Sequence, residues 1–220
     1  GKENLYIYEM TPGMVHENDA AERLLALCAN AHMTRSGVKE GKIELKAECD
    51  GLFRVKSERL IAVNAQEDVM IATRRGNTAV RAGDKLAGMR VIPLVIEEEK
   101  LRAAEAAAGE GPLLELLPFV KRTACIVTTG NEVKKGIIKD TFTPVVIDKL
   151  KAYGIETVGT VQSGDGVENV RDAILAMRER KPDMILCTGG MSVDPDDNTP
   201  GGVRLSGARI VTYGAPVLPG

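Results

Sequence analysis

Tryptophan is absent from this chain of 220 residues, and aromatic residues make up only 3% of it. Few side chains are therefore available to stack on nucleic-acid bases. Positive charge is not in excess either, because 29 Lys and Arg stand against 31 Asp and Glu. The chain thus has no basic field that would attract nucleic acid or an anionic membrane surface. We expect neither nucleic acid nor a membrane among its partners.

Cysteine and histidine are also scarce. The four cysteines are far apart and form no C-x-x-C pair, and the chain has only two histidines. A zinc site built from these ligands is therefore not expected. Unpaired cysteines suit a reducing compartment, so we expect a cytoplasmic protein. No apolar run approaches the length that spans a bilayer.

The first half of the chain mixes one helix with short strands and glycine turns. The periodicity predicts a leading helix over residues 17–31 and a second helix over 97–108, which Gly109 and Gly111 end. Short strands are predicted between them, at residues 43–47, 52–55, 69–72 and 89–96. Residues 1–110 are thus predicted to form a small β-rich domain with a leading helix, bounded near residue 110.

The second half, residues 111–220, alternates strands and helices. Apolar runs predict strands at residues 123–128, 155–161 and 184–187, with amphipathic helices at 143–153 and 166–180. Such alternation is typical of βαβ units with a mostly parallel sheet covered on both faces. We therefore predict a three-layer α/β domain. It ends just after a strand-like segment, so we expect a truncation at its C-terminus.

Each predicted strand of this domain is followed by a polar loop. The loops read T-T-G-N-E at residues 128–132, S-G-D at 163–165 and T-G-G-M-S at 188–192. In open parallel sheets, ligands bind beyond the carboxyl ends of the strands, so the three loops are expected to converge. Glycines let backbone amides approach an anion closely, and the Thr and Ser hydroxyls could add donors.

Four aspartates accompany these loops: Asp165, Asp194, Asp196 and Asp197. They would repel an anion unless a cation is also bound, and carboxylates beside phosphates commonly hold Mg²⁺. A carboxylate could instead act as a general base or accept hydrogen bonds from a heterocycle. For Asp194 and Asp196, the favoured interpretation is a solvated turn, in which Asp196 could also be a helix cap.

The order of these motifs resembles the molybdenum cofactor biosynthesis domain, a family that binds molybdopterin. The motifs are T-T-G-N-E, I-K-D at 138–140, G-I-E at 154–156, Asp165, and T-G-G-M-S-V-x-x-x-D at 188–197. Molybdopterin is a pterin with a dithiolene and a terminal phosphate. The family includes molybdopterin adenylyltransferases and molybdopterin molybdenumtransferases, and the resemblance spans residues 120–220.

The resemblance implies roles for individual residues. Asp165 and Asp197 would be catalytic, with Asp197 also binding Mg²⁺, and the amides of Gly130, Gly189 and Gly190 would hold the phosphate. The whole set of predicted cofactor-binding residues is Thr128, Thr129, Gly130, Glu132, Thr188, Gly189, Gly190 and Ser192. An ATP or AMP moiety and molybdate are implied as further partners, as is a homo-oligomer.

Three functions stay open at this point. The first is a molybdopterin-binding enzyme that adenylylates molybdopterin or inserts molybdate into it. The second is a non-catalytic carrier or sensor, because Asp194 stands where the family usually has glycine and would oppose an oxyanion. The third is a nucleotide pyrophosphatase or amidase resembling the competence/damage-inducible proteins, although these usually read T-G-G-x-G-P-T where this chain has Met191-Ser192-Val193.

Overall fold

The computed structural model describes residues 10–191, 199–212 and 214. The chain separates into two compact units, Gly1–Phe119 and Val120–Gly220. This division lies later than the boundary predicted near residue 110. The reason is that Leu114–Pro118 forms a strand that pairs antiparallel with Gly51–Val55 of the first unit.

Among its described residues, the first unit contains strands and helices in mixed order. They are β1 (Met14–His16), α1 (Glu17–Cys28), β2 (Met33–Arg35), β3 (Ile43–Ala47), β4 (Gly51–Val55), α2 (Ser57–Asn64), β5 (Val69–Thr73), β6 (Thr78–Val80), β7 (Lys85–Val91), β8 (Val95–Glu97), α3 (Glu98–Ala108) and β9 (Leu114–Pro118). The strands form antiparallel sheets in the orders β2-β3-β7-β5, β6-β4-β9 and β1-β8.

The strand predicted at residues 89–96 is divided in the structure. Strand β7 ends at Val91, and β8 begins at Val95 after a bend that contains Pro93. Proline has no amide to donate to a sheet ladder, which explains the break. Helix α1 buries Ala21, Leu24 and Cys28 along one face, at the spacing that the sequence predicted.

The second unit is the predicted alternation of strands and helices. Its elements are β10 (Thr123–Thr129), α4 (Asn131–Lys134), α5 (Phe142–Ala152), β11 (Glu156–Ser163), α6 (Val167–Arg178), β12 (Met184–Thr188) and α7 (Thr199–Leu205). Their strand order is β11-β10-β12, and both pairings are parallel. The prediction of a parallel sheet in a mixed α/β fold is therefore confirmed.

The central strand β10 is apolar on both faces because helices cover both. Ala124 and Ile126 point to one side, where they pack with Leu150 of α5. Cys125 and Val127 point to the other side, against α6. Residues 124–127 are all fully buried, and this alternation produces the three predicted layers.

The strand order creates a change of direction next to β10. Helix α5 leads the chain from β10 to β11 on one side, and α6 carries it back across β10 to β12 on the other. Adjacent strands at such a reversal leave a crevice at their carboxyl ends, where ligands bind in open α/β sheets. Among the described helices, none combines the length and apolarity needed to cross a membrane.

Candidate functional site

The three predicted loops meet at the carboxyl edge of the sheet. Thr128 is in register with Thr188 of β12 and with Gln162 of β11, and Thr129 is in register with Ser163. The strands therefore end at the same level, and the loops that follow them are neighbours. This edge, formed by residues 128–132, 163–166 and 188–190, is the candidate site.

The first and second loops are joined by a reciprocal pair of hydrogen bonds. The Asn131 amide donates to Asp165 Oδ2 at 3.1 Å, and the Asp165 amide donates to Asn131 Oδ1 at 3.3 Å. Asn169 Nδ2 also donates to the Asp165 carbonyl oxygen at 2.6 Å. Asp165 thus holds two loops together through one carboxylate oxygen, and its catalytic role stays a prediction.

The first and third loops are joined through buried threonines. The Thr129 hydroxyl donates to the Thr188 carbonyl oxygen at 3.1 Å and lies 3.3 Å from the Thr199 hydroxyl. The Thr199 hydroxyl donates to the Gly189 carbonyl oxygen, and its amide donates to the Gly190 carbonyl oxygen, each at 2.9 Å. Thr199 is only 1% exposed. It is thus bonded to both glycines of the third loop.

Two glycines make this close approach possible. A Cβ on Gly189 would lie 2.6 Å from the Thr129 carbonyl oxygen, and a Cβ on Gly190 would overlap the Thr199 hydroxyl. Both glycines also have positive φ, 84° and 63°, which L side chains rarely adopt. Packing between loops is thus sufficient to require glycine at both positions.

The amides of the predicted phosphate-binding glycines differ in availability. The Gly130 amide donates to the Ser163 carbonyl oxygen at 3.1 Å and so extends the ladder between β10 and β11. It is not available to a ligand in this arrangement, contrary to expectation. Within residues 10–191 and 199–212, neither the Gly189 amide nor the Gly190 amide donates a hydrogen bond. These two remain the donors that an anion could use.

A further carboxylate, Asp140, is linked to Thr128 of the site through the Thr143 hydroxyl. It was not among the predicted site residues. Its Oδ1 accepts from the amides of Phe142 and Thr143, at 3.0 and 2.9 Å, and its Oδ2 accepts from the Thr143 hydroxyl at 2.5 Å. Burial disfavours the charged form, but these hydrogen bonds outweigh it, so the pKa of Asp140 lies below its ordinary value. The I-K-D motif contains this residue, and aspartate just before a helix is a familiar N-terminal signal.

Other predicted residues are less defined by the structure. Glu132 has an exposed side chain, while its carbonyl oxygen accepts from the amides of Ile137 and Ile138. Four of the predicted residues lie outside the described part of the chain, namely Ser192, Asp194, Asp196 and Asp197. Thr199 was not predicted as a site residue, although it directly follows the predicted loop, in the sequence D-N-T-P at residues 197–200.

The described residues do not form a metal centre by themselves. Among residues 10–191, 199–212 and 214, no three His, Cys, Asp or Glu side chains are grouped as ligands. Both carboxylate oxygens of Asp140 accept hydrogen bonds from protein groups, and one carboxylate oxygen of Asp165 does so. Asp197 as a metal ligand stays a prediction.

Comparison with known proteins agrees with the sequence motifs. Residues 125–219 match a family model described as a probable molybdopterin binding domain. The resemblance predicted from the loops is thus confirmed for this stretch. Among curated proteins, a CinA-like protein of Pseudothermotoga lettingae is 31% identical over 78 residues, which are 36% of this chain and 19% of that one. A protein of Pyrococcus abyssi is 36% identical over 76 residues, which are 34% of this chain and 29% of that one.

Two similar solved structures are named as molybdopterin biosynthesis proteins. The molybdopterin biosynthesis enzyme MoaB from Thermus thermophilus has 22% identity and a TM-score of 0.37, over 38% of this chain and 54% of that one. MoeA from Pyrococcus horikoshii has 13% identity and a TM-score of 0.34, over 87% and 66%. These scores are too low to carry an argument. The chain spans only 19–29% of the length of the curated relatives given above, so their whole activities do not transfer to it.

Proposed function

We propose that the second unit binds molybdopterin at the carboxyl edge of β10, β11 and β12. One observation carries the proposal: three loops from three strands are hydrogen-bonded to one another at the reversal in strand order. The Asn131–Asp165 pair and the Thr129–Thr199 contact make this junction. The match of residues 125–219 to the molybdopterin-binding domain model supports the choice of ligand.

The proposed ligand has a pterin ring at one end and an anionic phosphate at the other, and different residues of the site would bind each end. The Gly189 and Gly190 amides are suited to the anionic phosphate, because they are donors without a partner among the described residues. Thr128, Thr129 and Gly130 shape the floor of the site through their contacts with the neighbouring loops. Glu132, Thr188, Ser192, Asp165 and Asp197 complete the proposed set, with Mg²⁺ at Asp197.

We place the protein in molybdenum cofactor biosynthesis, in the cytoplasm and as a homo-oligomer. Adenylyl transfer to molybdopterin and molybdate insertion are the two reactions that would follow from binding there. The four cysteines are free in the structure, which suits a reducing compartment. The first unit, predicted as a β-rich domain, has no assigned part in this proposal.

Isothermal titration of the whole chain with molybdopterin, its adenylylated form and molybdate tests the proposal. We expect molybdopterin to bind to the wild type and to be lost when Gly190→Val and Asp197→Ala are combined. Glu179→Gln is the matched control, because Glu179 is exposed at the far end of α6. Binding that survives the double substitution in a folded protein would contradict this placement of the site.

Matches to proteins named CinA-like favour a second candidate, a nucleotide pyrophosphatase or amidase. A turnover assay separates the candidates. Release of a mononucleotide from a dinucleotide substrate would favour the pyrophosphatase, and formation of adenylylated molybdopterin would favour the transferase. Tight molybdopterin binding with no product in either assay would identify a carrier or sensor.

A further inference from the structure

Four polar side chains form a continuous chain of hydrogen bonds that ends at the candidate site. Asp140 Oδ2 is 2.5 Å from the Thr143 hydroxyl, which is 2.8 Å from the Thr128 hydroxyl. The Thr128 hydroxyl in turn is 3.5 Å from that of Thr188. Asp140 and Thr143 lie at the start of α5, and the other two lie at the ends of the paired strands β10 and β12.

The direction of every proton in this chain follows from the carboxylate. An ionised carboxyl group only accepts, so the single hydroxyl proton of Thr143 must go to Asp140. Thr143 can then only accept from Thr128, which uses the proton of Thr128. For the same reason, Thr128 can only accept from Thr188. The Thr188 hydroxyl is the donor in its 3.5 Å contact with Thr128, so all three hydroxyl protons point towards Asp140.

The hydroxyl protons of the two remaining threonines of the site are also donated to protein groups. Thr129 donates its proton to the Thr188 carbonyl oxygen, and Thr199 donates to the Gly189 carbonyl oxygen. Thr128, Thr129 and Thr199 are also buried, whereas Thr188 is half-buried at the edge. A ligand thus meets the lone pairs of the Thr188 hydroxyl and not its proton, contrary to the expectation that these hydroxyls act as donors.

We propose that Asp140 is a positioning residue that fixes this direction, so that Thr188 presents a hydrogen-bond acceptor to the ligand. The group recognised there would carry an N–H donor, as the ring amine of a pterin does. A phosphate monoester, which is mainly dianionic and therefore mainly an acceptor at neutral pH, would be left to the Gly189 and Gly190 amides. This inference rests on the proposed function and deepens it, since it says which end of the ligand each part of the site takes.

A pair of ring systems tests the inference directly. Pterin carries an amine at the position where lumazine carries a carbonyl oxygen, so the donor at that position becomes an acceptor, while the neighbouring ring nitrogen gains a hydrogen. We expect the wild-type chain to bind pterin about tenfold more tightly than lumazine, because the mismatch leaves two acceptors facing each other. Fluorescence titration of both compounds gives the ratio of the dissociation constants.

Asp140→Asn is the decisive variant. Asparagine keeps an oxygen for the Phe142 and Thr143 amides but turns an NH₂ donor towards the Thr143 hydroxyl. The chain can then reverse, and Thr188 becomes able to donate, so the preference for pterin should fall about tenfold. Asp148→Asn is the matched control, since it removes the same charge from an exposed position on α5, the helix that Asp140 precedes, and should leave the ratio unchanged.

Thr143 provides an independent pair of variants if Asp140→Asn fails to fold, which circular dichroism would show. Thr143→Val interrupts the chain and should also lower the ratio, whereas Thr143→Ser keeps the hydroxyl and should preserve it. An unchanged ratio in Asp140→Asn or Thr143→Val, or a wild type without preference, would overturn the inference and leave molybdopterin binding standing. A wild type that binds neither pterin nor molybdopterin would overturn the inference and the proposed function together.

Discussion

Replacing Gly190 by alanine should destabilise the second unit through two effects that can be separated. The first is conformational, because alanine at a φ of 63° costs about 1–2 kcal/mol. The second is steric, because the new Cβ would overlap the Thr199 hydroxyl and lie 3.0 Å from that of Thr129. Overpacking of this kind costs about 1–3 kcal/mol. The sum is about 2–5 kcal/mol of unfolding free energy.

Gly154 offers a closely matched control for the first effect. Its φ is 67°, nearly that of Gly190, and a Cβ there would meet no atom within 4 Å. Gly154→Ala should therefore cost only the conformational part. The difference between the two variants in urea denaturation, followed by circular dichroism, measures the steric part.

A double-mutant cycle with Thr199→Ala makes the argument refutable. Removing the Thr199 hydroxyl costs its hydrogen bond to Gly189 in the wild type. In the Gly190→Ala background it also relieves the overlap, so the two changes should be less than additive by about 1 kcal/mol or more. Equal costs for Gly190→Ala and Gly154→Ala, together with full additivity in the cycle, would show that the third loop does not depend on this contact.

Other substitutions test the sheet and the junction of the loops. Ile126→Ala should cost about 2–5 kcal/mol in denaturant unfolding, because Ile126 is fully buried at the centre of β10. Asp165→Ala should cost about 1 kcal/mol, the value of a lost hydrogen bond, and an unchanged midpoint would contradict the joining role. Hydrogen bonds from the Arg122 and Thr123 amides lower the pKa of Asp183, so its contribution is present above the unfolded-state pKa and is lost as the pH falls through the folded-state pKa. Asp183→Asn should therefore flatten the acid side of the stability profile, measured as melting temperature against pH.

The parts of the fold that the sequence predicts well are those whose pattern is local. β10 is recognised because four consecutive apolar residues require cover on both faces, and α6 is recognised from its helical spacing. β9 was missed because Leu114–Pro118 is a short apolar stretch that ends in proline, and only its pairing with β4 makes it a strand. Helix α2 was missed because it is short and buries only Leu60 and Val63.

The site also has features that follow from the local sequence pattern and features that depend on distant residues. That three polar loops would share one edge follows from strand direction, which sequence alternation indicates. The need for glycine at 189 and 190 has a cause that sequence does not show, because the groups involved, Thr129 and Thr199, are 70 residues apart. Proton direction at Thr188 is equally non-local, since it depends on a carboxylate that reaches it only through α5 and β10.

The same hydrogen-bond pattern limits what can bind. With the Gly130 amide and the threonine protons committed to the protein, the two glycines of the third loop offer an anion their amides. A small oxyanion such as molybdate or inorganic phosphate can use those two donors and nothing at Thr188. A pterin phosphate can bind the two amides through its phosphate and Thr188 through its ring. Its affinity should therefore exceed that of either free anion by at least about tenfold, or about 1.4 kcal/mol. Competition of molybdate and phosphate against bound molybdopterin measures this margin, and equal affinities would mean that the anion alone determines binding.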